Sequence, residues 1–207
     1  MSPPRASRPR AIFFDVMDTL VRDPFRDVIP GFFGMTLEEL LAVKHPTAWV
    51  EFERGERDGA SFLRDFFADG RAFDHAAFEA AIQDAYEWLP GMEAMVATLA
   101  ADGLPMHALS NYPDWYQWIE ERLALGRFLD WGAVSCRTGV RKPDPEAYLG
   151  AARAIDLAPR DCLFVDDRES NVAAARAVGM DALRFEGAGP LREALVARGF
   201  DKLESVP

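Results

Sequence analysis

The sequence predicts an α/β fold: a doubly wound, mostly parallel sheet carrying an inserted run of helices. Three observations predict it. From residue 92 onward, short apolar runs alternate with helical stretches, the pattern of parallel strands joined by right-handed crossovers. Between residues 22 and 88 almost nothing reads as strand and much reads as helix. Finally, the polar residues of chemical interest sit where the strands end, the rim on which open α/β sheets bind ligands.

Taken in order, Ile12 to Phe14 form an apolar run of strand formers, predicting a buried strand over 12–14 that ends at Asp15. A carboxylate there must be solvated, paired with a metal or used as a nucleophile, because burying it bare costs several kcal/mol. Helices are expected over 37–44, where Thr36 and Glu39 form a capping box, and over 47–54, 61–68 and 74–88, with Gly55, Gly59 and Gly70 as punctuation. The aromatic residues of this segment, among them Trp49, Phe52, Phe62 and Phe78, read as core packing. Leu89-Pro90-Gly91 is a linker signal. Beyond it the spacing predicts helices over 92–101, 114–125, 145–155, 170–178 and 190–198, and strands over 104–109, 132–135, 162–165 and 181–185. The expected division is a core of residues 1–21 and 88–207 and a helical cap of residues 22–87.

Composition narrows the function classes. The chain has 207 residues, 23 Lys and Arg against 34 Asp and Glu, and a net charge of -11. That argues against nucleic acid or an anionic membrane surface as a partner, either of which needs a basic face. No apolar run approaches the roughly 18 residues that a membrane span requires. The basic, proline-rich start reads as a loose tail of a cytoplasmic protein, since its following apolar run is broken at Asp15. Cys136 and Cys162 fall in apolar runs and are expected as buried thiols rather than a disulfide. His45, His75 and His107 show no ligand spacing and are read as structural.

Four segments carry the chemistry: Ile-Phe-Phe-Asp-Val-Met-Asp-Thr-Leu (12–20), Leu-Ser-Asn (109–111), Arg-Lys-Pro-Asp-Pro (141–145) and Phe-Val-Asp-Asp-Arg-Glu-Ser-Asn (164–171). Asp15, Asp166 and Asp167 at strand ends concentrate negative charge that a hard divalent cation would relieve, and oxygen ligands suit magnesium. In this order the four segments resemble the haloacid dehalogenase superfamily of hydrolases, with its Rossmann-like core and inserted cap. The resemblance implies a magnesium-dependent phosphatase acting on a small phosphorylated metabolite. It assigns Asp15 as the nucleophile that becomes an aspartyl-phosphate, and Ser110 and Lys142 as the groups holding the phosphate. The metal falls to Asp15, the backbone carbonyl of Met17 and Asp166 or Asp167. Thr19 and Asn111 are assigned near the substrate, with Asn111 and Asn171 also suited to holding loops in shape.

One departure matters. Family phosphatases carry a second aspartate two residues after the nucleophile, which protonates the leaving group; here that position is Met17. General acid–base help is worth roughly 10²–10⁴-fold, so weakened turnover is expected. Asp18 is the adjacent acid that could substitute, although it reads as a turn residue facing solvent. A non-catalytic phosphate-binding protein is one alternative. A 2-haloacid dehalogenase, which needs neither acid nor metal, is another, and the acidic pair argues against it.

Overall fold

The protein was analysed as a computed structural model, which describes residues 8–205; most of the expected loose tail, residues 1–7, lies outside them. Four parallel strands, β1 (Ala11–Phe14), β2 (Met106–Ala108), β3 (Cys162–Asp166) and β4 (Asp181–Arg184), form one sheet in the order β2-β1-β3-β4. Every residue of β1 and β3 is buried. That is the behaviour of strands covered by helices on both faces, and it explains why they read as unbroken apolar runs rather than alternating ones. Register then places the chemistry. Phe14 pairs with Val165 and with Ala108, so Asp15, Asp166 and the Leu109-Ser110 step emerge side by side at one edge of the sheet.

Between β1 and β2 lie helices α1 (Val28–Phe32), α2 (Leu37–Val43), α3 (Ala48–Glu53), α4 (Gly59–Arg64), α5 (His75–Ala85) and α6 (Met92–Ala101). After β2 come α7 (Tyr116–Leu123), α8 (Ser135–Thr138) and α9 (Pro145–Ala154); α10 (Glu169–Ala177) and α11 (Ala188–Val196) flank β4. The capping box forms as its residue types dictate: the Thr36 hydroxyl accepts from the Glu39 amide at 3.2 Å, and the Glu39 carboxylate accepts from the Thr36 amide at 2.7 Å. Asp58 caps α4 by accepting from the Ser61 amide at 2.6 Å, which starts that helix earlier than the apolar spacing implied.

The strand expected over 132–135 does not form. Asp130 Oδ1 accepts from the Gly132 amide at 2.6 Å, a local turn that competes with the sheet ladder. Only Asp130 bridges to the sheet, at His107, and the chain then enters α8. Cys136 accordingly sits half-buried on a helix, Cys162 is buried in β3, and both thiols are free. No helix among the described residues is long and apolar enough to cross a membrane.

Val21 precedes the inserted helices and Trp88 follows them, and these two residues pair as an isolated antiparallel bridge outside the sheet. The bridge is reinforced by Arg22 N to Glu87 O at 3.0 Å and Leu89 N to Leu20 O at 2.8 Å. Beyond this double crossing, one apolar cluster runs from Ile12 and Val165 in the sheet to Phe52, Phe62 and Phe78 in the inserted helices. Gly55, just past α3, has φ +71, and a Cβ there would lie 2.5 Å from the carbonyl oxygen of Cys136.

Gly55→Ala is therefore expected to destabilise by at least about 1 kcal/mol more than Gly70→Ala. Gly70 shares the left-handed conformation at φ +69 but has nothing within 4 Å of an added Cβ. Urea unfolding of both variants checks this; equal losses would mean that the contact with α8 is slack.

Candidate functional site

Asp15 follows β1 directly and is locked there by its own amide, which donates to the Val165 carbonyl at 2.8 Å. Its carboxylate is used asymmetrically. Oδ1 accepts from the Val16 amide at 2.8 Å and the Ser110 hydroxyl at 3.0 Å, and it lies 3.0 Å from Lys142 Nζ. Oδ2 takes no hydrogen bond among the described residues. Three donors thus hold one oxygen still and leave the other without a partner among the described residues.

Lys142 reaches Asp15 from a loop between α8 and α9, and that loop is clamped by Asn111. The Asn111 side chain accepts from the Lys142 amide and donates to the Lys142 carbonyl, each at 2.8 Å. The ammonium also donates to Asp166 Oδ2 at 2.6 Å. Asp166 is fully buried and wholly engaged: its remaining partners are the Arg168 amide at 2.8 Å and the Asn171 amide group at 3.0 and 3.1 Å. Asp167 is half-buried and its carboxylate has no partner among the described residues; it lines the cavity above Asp15, whereas Asp166 does not. The two adjacent acids have divided roles: Asp166 fixes the lysine and Asp167 faces the open space.

Carboxylate oxygens of Asp15, Asp166 and Asp167 lie within 4.8 Å of one another. Opposite ligands on an octahedral magnesium stand about 4.2 Å apart, so Asp15 and Asp167, the two of these acids that line the cavity, can close on such an ion with small side-chain movements. The electrostatics point the same way. Burial pushes Asp15 above the usual carboxylate range, Lys142 draws it down, and Asp166 pushes it up again. Burial, followed by repulsion from Asp15 and Asp166, raises Asp167 to about 6. A dication would stabilise all of these ionised forms.

The cavity holds about 230 Å³ and is lined from both the sheet edge and the inserted helices. Phe25, Trp49 and Tyr112 supply aromatic walls; Arg141, Lys142 and Arg168 supply positive charge. Glu53 at the end of α3 accepts from the Trp49 indole at 2.6 Å and pairs with Arg141 at 2.5 Å, while its carbonyl accepts from the Ser135 hydroxyl at 2.5 Å. Burial outweighs these partners and raises Glu53 to about 7.

Of the residues expected from sequence, Asp15, Met17, Asn111, Lys142 and Asp167 line the cavity. Ser110 is buried behind Asp15, which it orients. Thr19 is fully buried, and its hydroxyl has no partner among the described residues. Asp18 occupies a left-handed turn at φ 55, as a short polar side chain tolerates. It does not simply face solvent, for it lines the cavity and accepts from the Asp23 amide at 3.1 Å. The hydrogen bonds of that turn, Val21 N to Val16 O and Asp18 N to Val21 O, bypass the Met17 carbonyl. Asp23, Phe25 and Glu53 were not foreseen as lining residues; they come from the inserted segment, where neither spacing nor a neighbouring strand end marks them.

Known proteins resemble this chain in sequence and in fold. Residues 9–179 match the family model described as haloacid dehalogenase-like hydrolase. The chain is 46% identical over 190 residues to flavin mononucleotide hydrolase 1, a chloroplast protein of Arabidopsis thaliana, covering 92% of this chain and 78% of that one. It is 28% identical over 193 residues to a phosphoglycolate phosphatase of Pseudomonas putida, covering 84% and 68%. Among solved structures, a haloacid dehalogenase family enzyme of Bacteroides thetaiotaomicron in its magnesium complex superposes with a TM-score of 0.73 at 17% identity, covering 90% of this chain and all of that one. An L-2-haloacid dehalogenase of Xanthobacter autotrophicus gives 0.62 at 19% identity over 92% and 83% of the two chains. At such identities these two structures speak for the fold alone.

Because Lys142 is the buried cation between two buried acids, Lys142→Met should destabilise the metal-free protein by about 3–5 kcal/mol at pH 7. The loss should be smaller at pH 5. Burial already raises the Asp15 carboxyl and Lys142 draws it down, so without the lysine it rises further above its unfolded value, the native state binds more protons, and the variant gains stability as pH falls. Urea unfolding at the two pH values checks this; a loss independent of pH would show that the pair is not ionised.

Proposed function

We propose, on the premise that this chain belongs to the haloacid dehalogenase-like hydrolases, that it is a magnesium-assisted phosphatase with Asp15 as nucleophile and a substrate of the flavin mononucleotide class. Residues 22–87 serve as the cap over a core of residues 1–21 and 88–207. The observation that carries the reading is the asymmetry at Asp15, one oxygen held by three donors and the other without a partner among the described residues, with Asp167 lining the same cavity. Asp15 Oδ2 attacks phosphorus in line, the ester P–O bond breaks, and water then hydrolyses the aspartyl-phosphate. Lys142 offsets phosphate charge from the cavity wall, Ser110 holds Asp15 in place, and Asp166 with Asn171 keeps the ammonium pointed at the reacting centre. Magnesium, held by Asp15, Asp167 and the Met17 carbonyl, would neutralise and align the phosphate oxygens.

The substrate class follows from the 46% identical relative and from the aromatic walls. A cavity of 230 Å³ is smaller than the ~300–1,000 Å³ usual for small-molecule sites. The phosphate and the polyol beside it occupy it, and a ring system lies at the mouth against the half-buried Phe25 and Trp49. Two free thiols suit a reducing compartment, and the cytoplasm is the proposed one.

Flavin mononucleotide and an aryl phosphate, each assayed with magnesium and with chelator, test the reading. Activity should vanish with chelator, and Asp15→Asn should lower it by at least about a thousandfold. Equal rates with and without metal would end the metal-assisted version, and preference for phosphoglycolate over flavin mononucleotide would end the choice of substrate. A separate measurement reads the metal directly. Magnesium should raise the melting temperature at pH 7.5, and this increase should shrink as pH falls below about 6, where the Asp167 carboxyl takes up a proton and ceases to be a ligand. Asp167→Asn should remove most of the increase at either pH.

A further inference from the structure

An alkoxide leaving phosphorus needs a proton as the P–O bond breaks, and Met17 has none to give. Four carboxyl groups besides Asp15 line the cavity: Asp18, Asp23, Glu53 and Asp167. Asp167 belongs to the cation site. Both oxygens of Glu53 are engaged, one by the Trp49 indole and the other by Arg141. Asp18 accepts from the Asp23 amide and has Arg26 within 3.7 Å of its other oxygen.

Asp23 differs from all three. Its Oδ1 accepts from the Phe25 amide at 3.0 Å, capping the short 3-10 helix Pro24–Arg26, and this fixes the side chain. Its Oδ2 has no partner among the described residues. We propose that Asp23 is the general acid and base of this hydrolase, doing from the start of the inserted segment what the residue two places after the nucleophile cannot. The inference rests on Asp15 being the nucleophile. In the first half-reaction Asp15 Oδ2 bonds to phosphorus, the ester P–O bond breaks, and the Asp23 proton goes to the leaving oxygen. In the second, Asp23 takes a proton from the water that attacks phosphorus, the bond between phosphorus and Asp15 breaks, and inorganic phosphate leaves with Asp23 protonated again.

The surroundings suit both tasks. Burial, its largest influence, raises the carboxyl to about 6; Asp18 and Asp15 push it further up and Arg168 pulls it down. The hydrogen-bonded hydroxyls of Tyr86 and Tyr112 also lie in its field. A group that titrates just below neutrality is present in both forms at working pH, as a residue alternating between acid and base requires. Its place on the segment that follows the Val21 crossing also ties proton delivery to the position of the cap.

The test compares leaving groups in Asp23→Asn, which keeps an acceptor for the Phe25 amide. Turnover of flavin mononucleotide or another alkyl phosphate should fall about a hundredfold or more, while turnover of p-nitrophenyl phosphate, whose leaving group needs no proton, should fall less than about tenfold. The loss of wild-type rate on alkyl phosphates as pH rises past the Asp23 titration should disappear in the variant. Adding Met17→Asp to it should restore alkyl turnover. If Asp23→Asn does not fold, Asp23→Ser retains the helix cap and gives the same comparison. Equal losses on both substrates, or an unchanged pH profile, would overturn the inference and reduce Asp23 to a cap. If wild type hydrolyses neither substrate, or if Asp15→Asn keeps its activity, the underlying phosphatase reading fails instead.

Discussion

A single ammonium group organises this site. Lys142 Nζ lies 3.0 Å from Asp15 and 2.6 Å from Asp166, and all three side chains are almost completely removed from solvent. Two buried carboxylates at neighbouring strand ends would repel each other and resist ionisation; a cation between them makes the arrangement tolerable, and its removal leaves buried charge without compensation. The lysine must therefore be held more firmly than an ordinary surface side chain. Asn111 clamps its backbone on both sides, Asn171 and the Arg168 amide fix Asp166, and the sheet register fixes the rest. Much of what resembles substrate-binding chemistry in the sequence is scaffolding for this one contact.

That distinction explains what could and could not be read from the chain. The strands around the site were legible because β1 and β3 are buried on both faces, and an apolar run ending in an acid marks such a strand and its rim. The strand expected over 132–135 failed because apolar residues there serve packing, while Asp130 closes a turn on Gly132 that no periodicity reports. Asp166 and Asp167 were recognisable as a pair but not as two different functions. Only register and side-chain direction separate the one that faces Lys142 from the one that faces the cavity. Asp23, Phe25 and Glu53 were invisible because their significance depends on how the inserted helices fold over the sheet.

The inserted helices are bound to the core by more than the double crossing at Val21 and Trp88. The aromatic cluster is continuous with the sheet's own core, and α3 meets α8 closely enough that Gly55 has no room for a side chain. At the same junction Glu53 joins Trp49 to Arg141, a residue adjacent to Lys142. The inserted helices and the loop that carries Lys142 are thus linked through one buried acid. The cavity is lined by both parts, so its dimensions depend on that link as much as on either part.

The charge balance of the cavity gives the arrangement its logic. Five carboxyl groups, Asp15, Asp18, Asp23, Glu53 and Asp167, face three cations, Arg141, Lys142 and Arg168. Fully ionised, such a wall would repel a phosphate dianion. It avoids this in two ways. Burial holds Asp23 at about 6 and Glu53 at about 7, so part of the negative charge is carried as protons near neutral pH. A divalent cation entering with a phosphate dianion would bring no net charge, and the Asp15 and Asp167 carboxylates offer it a place. The excess of acids is then compatible with binding an anion: under the proposed reading part of it would hold a metal and part of it would store a proton, and a site with Met17 beside the proposed nucleophile would need both.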